Sequence, residues 1–342
     1  MRAFITGVAG SALTDEERGF FRDAQPWGLI VFKRNIAGPE PLRRLVGEFR
    51  SAIGCEAPVL IDQEGGRVQR LGPPDWPQYP PGAVYGKLFD QNRDTGLAAA
   101  RLGARLIAAD LAALGIDVDC LPIADVPVAG ADPVVGDRAY GNEPDKVAAI
   151  AHAVAGGLVA GGVLPVLKHI PGHGRATADS HRRLPVVSTD RQTLDRTDFA
   201  AFRPLKALPM AMTAHVVFTA IDPLAPATLS PRIVRDVIRD SIGFQGLLMS
   251  DDISMGALSG SIAERSRAAI AAGCDVILHC NGEMAQMREV ASSVPVLAGE
   301  AARRATAALA ARRSAMPIDM AASRAEFSGL VAGIWQPAEG TA

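Results

Sequence analysis

Cysteine is scarce in this chain of 342 residues: Cys55, Cys120, Cys274 and Cys280 are scattered along it. Three of them, Cys120, Cys274 and Cys280, fall in or beside apolar runs, so all four are read as reduced, small apolar side chains and not as a disulfide framework. No charge sign dominates. Thirty-five Lys and Arg stand against 37 Asp and Glu, for a net charge of −2. No basic tract of the nucleic-acid-binding kind occurs, which argues against nucleic acid as a partner. Nor is there an apolar run long enough to span a bilayer. The start, "MRAFITGVAGSALT", is broken by Gly7 and Gly10, too short for a membrane helix and poor as a signal peptide. A cytoplasmic location with no membrane partner is therefore expected. Histidine is also rare, with six in all. What is abundant is core material: 48% of residues are hydrophobic and 21% charged, the balance of a soluble globular protein.

Short apolar, β-branched runs recur along the chain. Eight qualify as strands: residues 3–10, 28–35, 57–66, 116–126, 163–174, 209–218, 246–255 and 274–282. Near-continuous apolar runs suit strands buried on both faces of a parallel sheet. Helical patterns separate most of them. Thr14 with Glu17, and Ser261 with Glu264, have the spacing of capping boxes. The run 97–114 reads as a helix stopped by Gly115, and 262–272 as one ended by Gly273. A further helix is expected at "KVAAIAHAVAGGLVAGG", with His152 on its apolar face in a structural role. The proline-rich stretch 72–86 reads as a long loop. Eight strand–helix alternations predict an α/β fold, a (β/α)8 TIM-type barrel, with an open doubly wound sheet as the alternative. One domain over residues 1–342 is expected, its barrel core at about 3–312 and a C-terminal extension at 313–342 that is irregular after about Met316.

The polar residues sit where a barrel would use them. The apolar runs end in Asp62, Asp125, Lys168 with His169, His215, Asp251 with Asp252, and His279. Scattering so many polar groups through a core without a shared cavity would cost several kcal/mol in unsatisfied groups, so one polar pocket at one mouth of the barrel is expected. Asp252 reads as a structural partner of a neighbouring loop; Asp125 and His279 suit either role. The segment "KHIPGHGRATADSHRRLP", residues 168–185, holds half of the histidines. His169 and His173 have an H-x3-H spacing, which on a helix would suit a metal. Pro171, Gly172 and Gly174 oppose a helix there. Asp179 and His181, two residues apart, can instead orient an imidazole for proton transfer, so no metal and no cofactor are expected.

Four motifs, "IDQEGGRVQRL" (61–71), "GDRAYG" (136–141), "KHIPGHG…DSH" (168–174 and 179–181) and "SDDISM" (250–255), resemble those of family 3 glycoside hydrolases. More narrowly they resemble bacterial β-N-acetylglucosaminidases of the NagZ type. The resemblance runs from about Thr6 to the eighth strand. Ile170 stands where the family often has Phe, and Ala139-Tyr140 where it has Ser-Phe. The resemblance implies Asp251 as a nucleophile forming a covalent glycosyl-enzyme, His181 as acid/base with Asp179 as its partner, and Asp62, Arg70, Arg138, Lys168 and His169 as sugar-binding residues.

It further implies a retaining, exo-acting enzyme that removes β-linked GlcNAc from GlcNAc-1,6-anhydro-MurNAc muropeptides in peptidoglycan recycling. A small carbohydrate is then the partner, and a monomer is expected. An imidazole can give up and take back a proton near neutral pH without the desolvation a carboxylic acid would need. Other readings stay open from sequence: a β-glucosidase of the same broad family, a metal-dependent hydrolase built on His169, His173, Asp179 and His181, and a non-catalytic sugar-binding barrel.

Overall fold

A computed structural model describes residues 1–337. Each of the eight expected runs contributes one strand of a single sheet: β1 (Arg2–Thr6), β2 (Pro26–Val31), β3 (Val59–Ile61), β4 (Val118–Asp119), β5 (Leu164–Ile170), β6 (Met210–Thr213), β7 (Leu247–Asp252) and β8 (Val276–His279). The strands lie side by side in chain order, and β8 pairs in parallel with β1, so the sheet closes into a barrel. That closure excludes the open doubly wound alternative. The barrel is the TIM-type α/β fold expected.

Two cores follow from the period-2 alternation of a strand. Leu164 and Val166 of β5, Met210 and Met212 of β6, Leu247 and Met249 of β7, and Val276 and Leu278 of β8 point inward and fill the barrel. Their neighbours Leu167, Ala211, Leu248 and Ile277 point outward to the helical ring. Lys168 continues the inward row of β5, which brings its ammonium to the mouth. The strands are shorter than their apolar runs, which continue into the loops of the mouth; β5, β7 and β8 carry Lys168, His169, Asp251, Asp252 and His279 at their C-terminal ends.

Both capping boxes form. Thr14 caps the helix Asp15–Ala24 and Ser261 the helix Ile262–Ala272, each with reciprocal bonding to its Glu; such a cap contributes about 1 kcal/mol. Gly273 ends the second helix at φ 111°. The helix expected over 97–114 runs from Arg93 to Ala112, capped earlier by Asn92, and Gly115 lies beyond its end at φ 78°. The next helix spans Pro144–Ala160. His152, expected on an apolar face there, is exposed. All four cysteines are free; Cys120 and Cys274 are buried.

Two expectations are corrected. The stretch 72–86 is a loop only as far as Pro81; a helix, Gly82–Gln91, begins there. The prolines that mark the loop end at Pro81, the N-cap of this helix, and two glycines within the helix serve close approach: a Cβ on Gly82 would lie 2.2 Å from the Arg138 carbonyl oxygen, and one on Gly86 2.0 Å from that of Tyr140. The tail is not irregular after Met316 either. Asp319 caps a helix, Met320–Val331, that buries Phe327 and Val331 and joins Arg324 to Asp110 at 2.9 Å. Its apolar residues, Met320, Ala321, Ala322, Ala325, Phe327, Leu330 and Val331, are spread around the helix and left no clear period to read.

Candidate active site

Asp62 follows directly on β3, and the chain then doubles back as a hairpin of Gln63–Gly65 with Val68–Gln69. Gln63 fixes this hairpin. Its backbone N–H donates to Asp119 Oδ1 (2.9 Å), its side-chain nitrogen donates to the Leu71 carbonyl (2.8 Å), and its Oε1 accepts from the backbone N–H groups of Arg70 and Leu71, both at 2.9 Å. The result sets Asp62, Glu64 and Arg70 around the tip of Lys168. Lys168 Nζ lies 3.0 Å from Asp62 Oδ1 and 2.6 Å from Glu64 Oε1. Arg70 holds Asp62 from the other side at 2.9 Å. Arg138 grips Glu64 with two parallel bonds of 2.8 Å, the fork geometry that makes Arg–carboxylate pairs strong. Arg138 sits on the turn Gly136–Arg138, against which the helix Gly82–Gln91 packs through Gly82.

Burial alone would raise both carboxylates, but the cations outweigh it. Lys168 and Arg70 hold Asp62 well below the usual carboxylate range, and Arg138 and Lys168 hold Glu64 at about 2. Burial would conversely lower Lys168, and Asp62 and Glu64 overcome that to raise it. In the alternating row Arg70, Asp62, Lys168, Glu64, Arg138, the carboxylates and Lys168 and Arg138 are thus held in their charged forms.

A second network adjoins the first. Asp125 Oδ2 lies 2.6 Å from His169 Nδ1, and Asp125 Oδ1 accepts the backbone N–H of His173 at 2.7 Å. Burial works against the Asp125 anion, yet His169 and His173 bring it down to about 2. An ionised carboxylate only accepts, so the proton of this pair belongs on His169 Nδ1. Asp125, which the sequence left between two roles, is therefore the partner of His169. His173 Nε2 lies 3.1 Å from Ser180 Oγ. Burial, helped by His169, lowers His173 to about 4 and keeps it neutral.

Asp251 ends β7. One of its oxygens accepts the backbone N–H of Asp252 at 2.7 Å. Burial opposes its charge, but nearby His215 and His169 prevail and lower it, so it stands as a carboxylate. Asp252 turns away: it accepts from the Ser254 backbone and hydroxyl and from the Cys280 backbone, the structural role read for it. His181 and Asp179 project from the loop after β5. Asp179 Oδ1 accepts both the His181 backbone N–H (2.9 Å) and a contact from Nδ1 (2.8 Å), which holds the imidazole in one orientation. His181 stays 65% exposed at its side chain.

Asp62, Arg70, Arg138, Lys168, His169, Asp179, His181 and Asp251, the eight residues to which the resemblance assigned roles, line one cavity of about 310 Å³ at the C-terminal mouth. His279 is not among them; its Nε2 meets Gln286 at 3.2 Å beside the mouth. The histidines of the H-x3-H spacing are engaged elsewhere, His169 with Asp125 and His173 with Ser180. Among the described residues no group of three or more His, Cys, Asp or Glu converges as a metal cage would. Several site residues were missed. Glu64 bridges Lys168 and Arg138, and its signal was its place in "DQEGG". His215 donates its Nε2–H to the Asp252 carbonyl at 3.0 Å, beside Asp251; its strand-end position was visible without its task. Phe32 lies beneath the Arg70 guanidinium, 5.4 Å from ring centre to carbon.

A partly buried carboxylate on a polar cavity, with a proton-transfer pair on the loop that borders it, has the two functions that cleavage of a sugar acetal calls for, on the fold and at the mouth where barrel hydrolases work. Residues 7–311 match the glycosyl hydrolase family 3 N-terminal domain, and the chain belongs to that family. It is 38% identical over 278 residues to a β-hexosaminidase of Aromatoleum aromaticum, spanning 80% of this chain and 78% of that one. A β-hexosaminidase of Nitrosomonas eutropha is 37% identical over 278 residues, 80% and 79% of the two chains. Among solved structures, NagZ from Neisseria gonorrhoeae in complex with N-trifluoroacetyl-D-glucosamine superposes with a TM-score of 0.87 at 30% identity, covering 96% of this chain and 98% of that one. The resemblance carried by the four motifs is borne out, and the chain is a glycoside hydrolase akin to the β-hexosaminidases.

Proposed function

We propose that this family 3 glycoside hydrolase is a retaining exo-β-N-acetylglucosaminidase. Asp251 attacks the anomeric carbon and forms a glycosyl ester. His181, protonated and braced by Asp179, gives a proton to the departing oxygen. It then takes one from the water that cleaves the ester, so configuration is retained. Asp62, Arg70, Arg138, Lys168 and His169 hold the sugar hydroxyls. Lys168 has three donors and two carboxylate partners, which leaves one donor for a hydroxyl. The observation that carries the reading is the pairing, on one small cavity, of a Asp251 carboxylate kept ionised with the His181–Asp179 pair. The kinship with β-hexosaminidases supports GlcNAc as the sugar. The natural substrate is proposed to be GlcNAc-1,6-anhydro-MurNAc muropeptides in the cytoplasm, in peptidoglycan recycling, with the enzyme acting as a monomer.

Hydrolysis of a nitrophenyl β-GlcNAc glycoside, compared with its β-glucoside analogue, tests the sugar. A preference for the glucoside would replace this reading by that of a β-glucosidase. Asp251→Asn is expected to abolish turnover while the protein stays folded by circular dichroism. A 2-deoxy-2-fluoro glycoside should leave its sugar on the peptide containing Asp251 in mass spectra, and an adduct on Asp252 instead would reassign the nucleophile.

A further inference from the structure

The acid/base pair is two exposed residues on an irregular loop, yet the residue between them is buried. Ser180 is 3% exposed, whereas the side chains of Asp179 and His181 are 30% and 65% exposed. Its hydroxyl meets His173 Nε2 at 3.1 Å, and His173 is itself 4% exposed. From His173 the connection continues inward. The His173 backbone N–H donates to Asp125, Asp125 holds His169 at 2.6 Å, and the two imidazoles meet edge to face with ring centres 5.7 Å apart. His169 lines the cavity. A continuous series of buried hydrogen bonds therefore leads from the sugar cavity to the centre of the acid/base segment.

The backbone here is anchored on the other side as well. The Ser180 carbonyl accepts the Ala257 N–H at 3.1 Å and the His181 carbonyl that of Gly256 at 3.3 Å, both from the segment that follows Asp251. A Cβ at Gly256 would come within 2.8 Å of the His181 carbonyl oxygen. Within residues 179–181, Ser180 alone offers a buried side chain as an anchor. Without its hydroxyl, residues 179–181 would keep their backbone contacts, to Gly256 and Ala257 and from Arg182 and Arg183 to the Asp179 carbonyl, and would lose their side-chain hydrogen bond to the interior of the site.

We propose that Ser180, through its hydrogen bond to His173, is a positioning residue that sets the Asp179–His181 pair over the cavity and links its placement to the His169 side of the site. The proposal rests on His181 being the acid/base. Ser180 borders the cavity beside His173, and the role assigned to it is placement of the imidazole, not proton transfer. Its hydroxyl ties the loop to a group that reports on the inside of the cavity, so displacement of the hydroxyl shifts the imidazole away from the leaving oxygen. Proton transfer is steeply sensitive to such shifts.

The test is a comparison of Ser180→Ala, His181→Ala and the double variant on two substrates, a nitrophenyl β-GlcNAc glycoside and a β-linked GlcNAc disaccharide. Ser180→Ala removes one oxygen and adds no bulk. It is expected to lower kcat on the disaccharide roughly tenfold or more while sparing the nitrophenyl glycoside, whose leaving group departs with little protonation. GlcNAc affinity, read by calorimetry, should be unchanged. In the His181→Ala background the serine substitution should have no further effect, because there is no imidazole left to place. If His181→Ala shows the leaving-group signature and Ser180→Ala instead loses both substrates equally, loses GlcNAc binding, or adds its full effect to that of His181→Ala, the proposal is overturned. If His181→Ala itself lacks the signature, the acid/base assignment fails first, and the proposal with it.

Discussion

Lys168 reaches two carboxylates at once, and its neighbour His169 reaches a third, so adjacent residues of one strand hold both halves of the polar site. This arrangement makes the folded protein sensitive to acid through specific groups. Glu64 is held at about 2, below its ordinary 4.5, by Arg138 and Lys168 against the opposing effect of burial. An unfolded chain would take up a proton at that group well before the folded one does. The stability it contributes is present above about pH 4.5 and disappears as the pH falls towards 2. His173 acts over a higher window with the same sign. Buried neutral, it is lowered to about 4 from 6.5, so between those values only the unfolded chain binds its proton. Buried His215 is lowered as well and adds to the effect. Urea midpoints are accordingly expected to climb as pH rises from 4 to 6.5. In His173→Gln that upper slope should become shallower at unchanged m-value. An identical slope in the variant would remove His173 as a source.

Among elements, the strands were legible because each is buried on both faces and so reads as a continuous apolar run. The capping boxes were legible because two residues at a fixed spacing define each of them. The start of the helix Gly82–Gln91 was hidden by the prolines that run up to Pro81 at its N-cap, and the reason for Gly82 and Gly86 lies in the carbonyls of Arg138 and Tyr140, distant in sequence. The helix Met320–Val331 was hidden because it needs few apolar contacts; Phe327 supplies the main one, against Tyr79 with ring centres 6.3 Å apart. Phe327→Ala should therefore destabilise the protein by about 3 kcal/mol and leave kcat/KM unchanged, as thermal unfolding and a steady-state assay would show. A loss of activity without a loss of stability would assign this helix to the site. The site itself was legible at strand ends, where barrel geometry forces polar residues together. The tasks of Glu64, His173 and Ser180 were not, since their partners are fixed by loop conformation, and no spacing in the sequence encodes an irregular loop.

Across the whole molecule, acids and bases nearly balance, at −2, and the mouth of the barrel repeats that balance locally. Arg70, Asp62, Lys168, Glu64 and Arg138 come from the loop after β3, the turn Gly136–Arg138 and β5, and they meet only because the sheet closes. The row has a consequence for how heat and protons move when a sugar docks. Asp62 and Glu64 are far below neutrality in their titration, and Lys168 and Arg138 far above it, before any ligand arrives. A neutral hydroxyl that settles among them gives none of the four a reason to exchange a proton with water. Association of GlcNAc near neutral pH should then draw no proton from the row, so that in His181→Ala, where the loop imidazole is gone, the calorimetric enthalpy should be the same in buffers of widely different ionisation heat. The cavity would work as a pre-charged mould, whose field is set at folding and drawn on at every turnover without being reset.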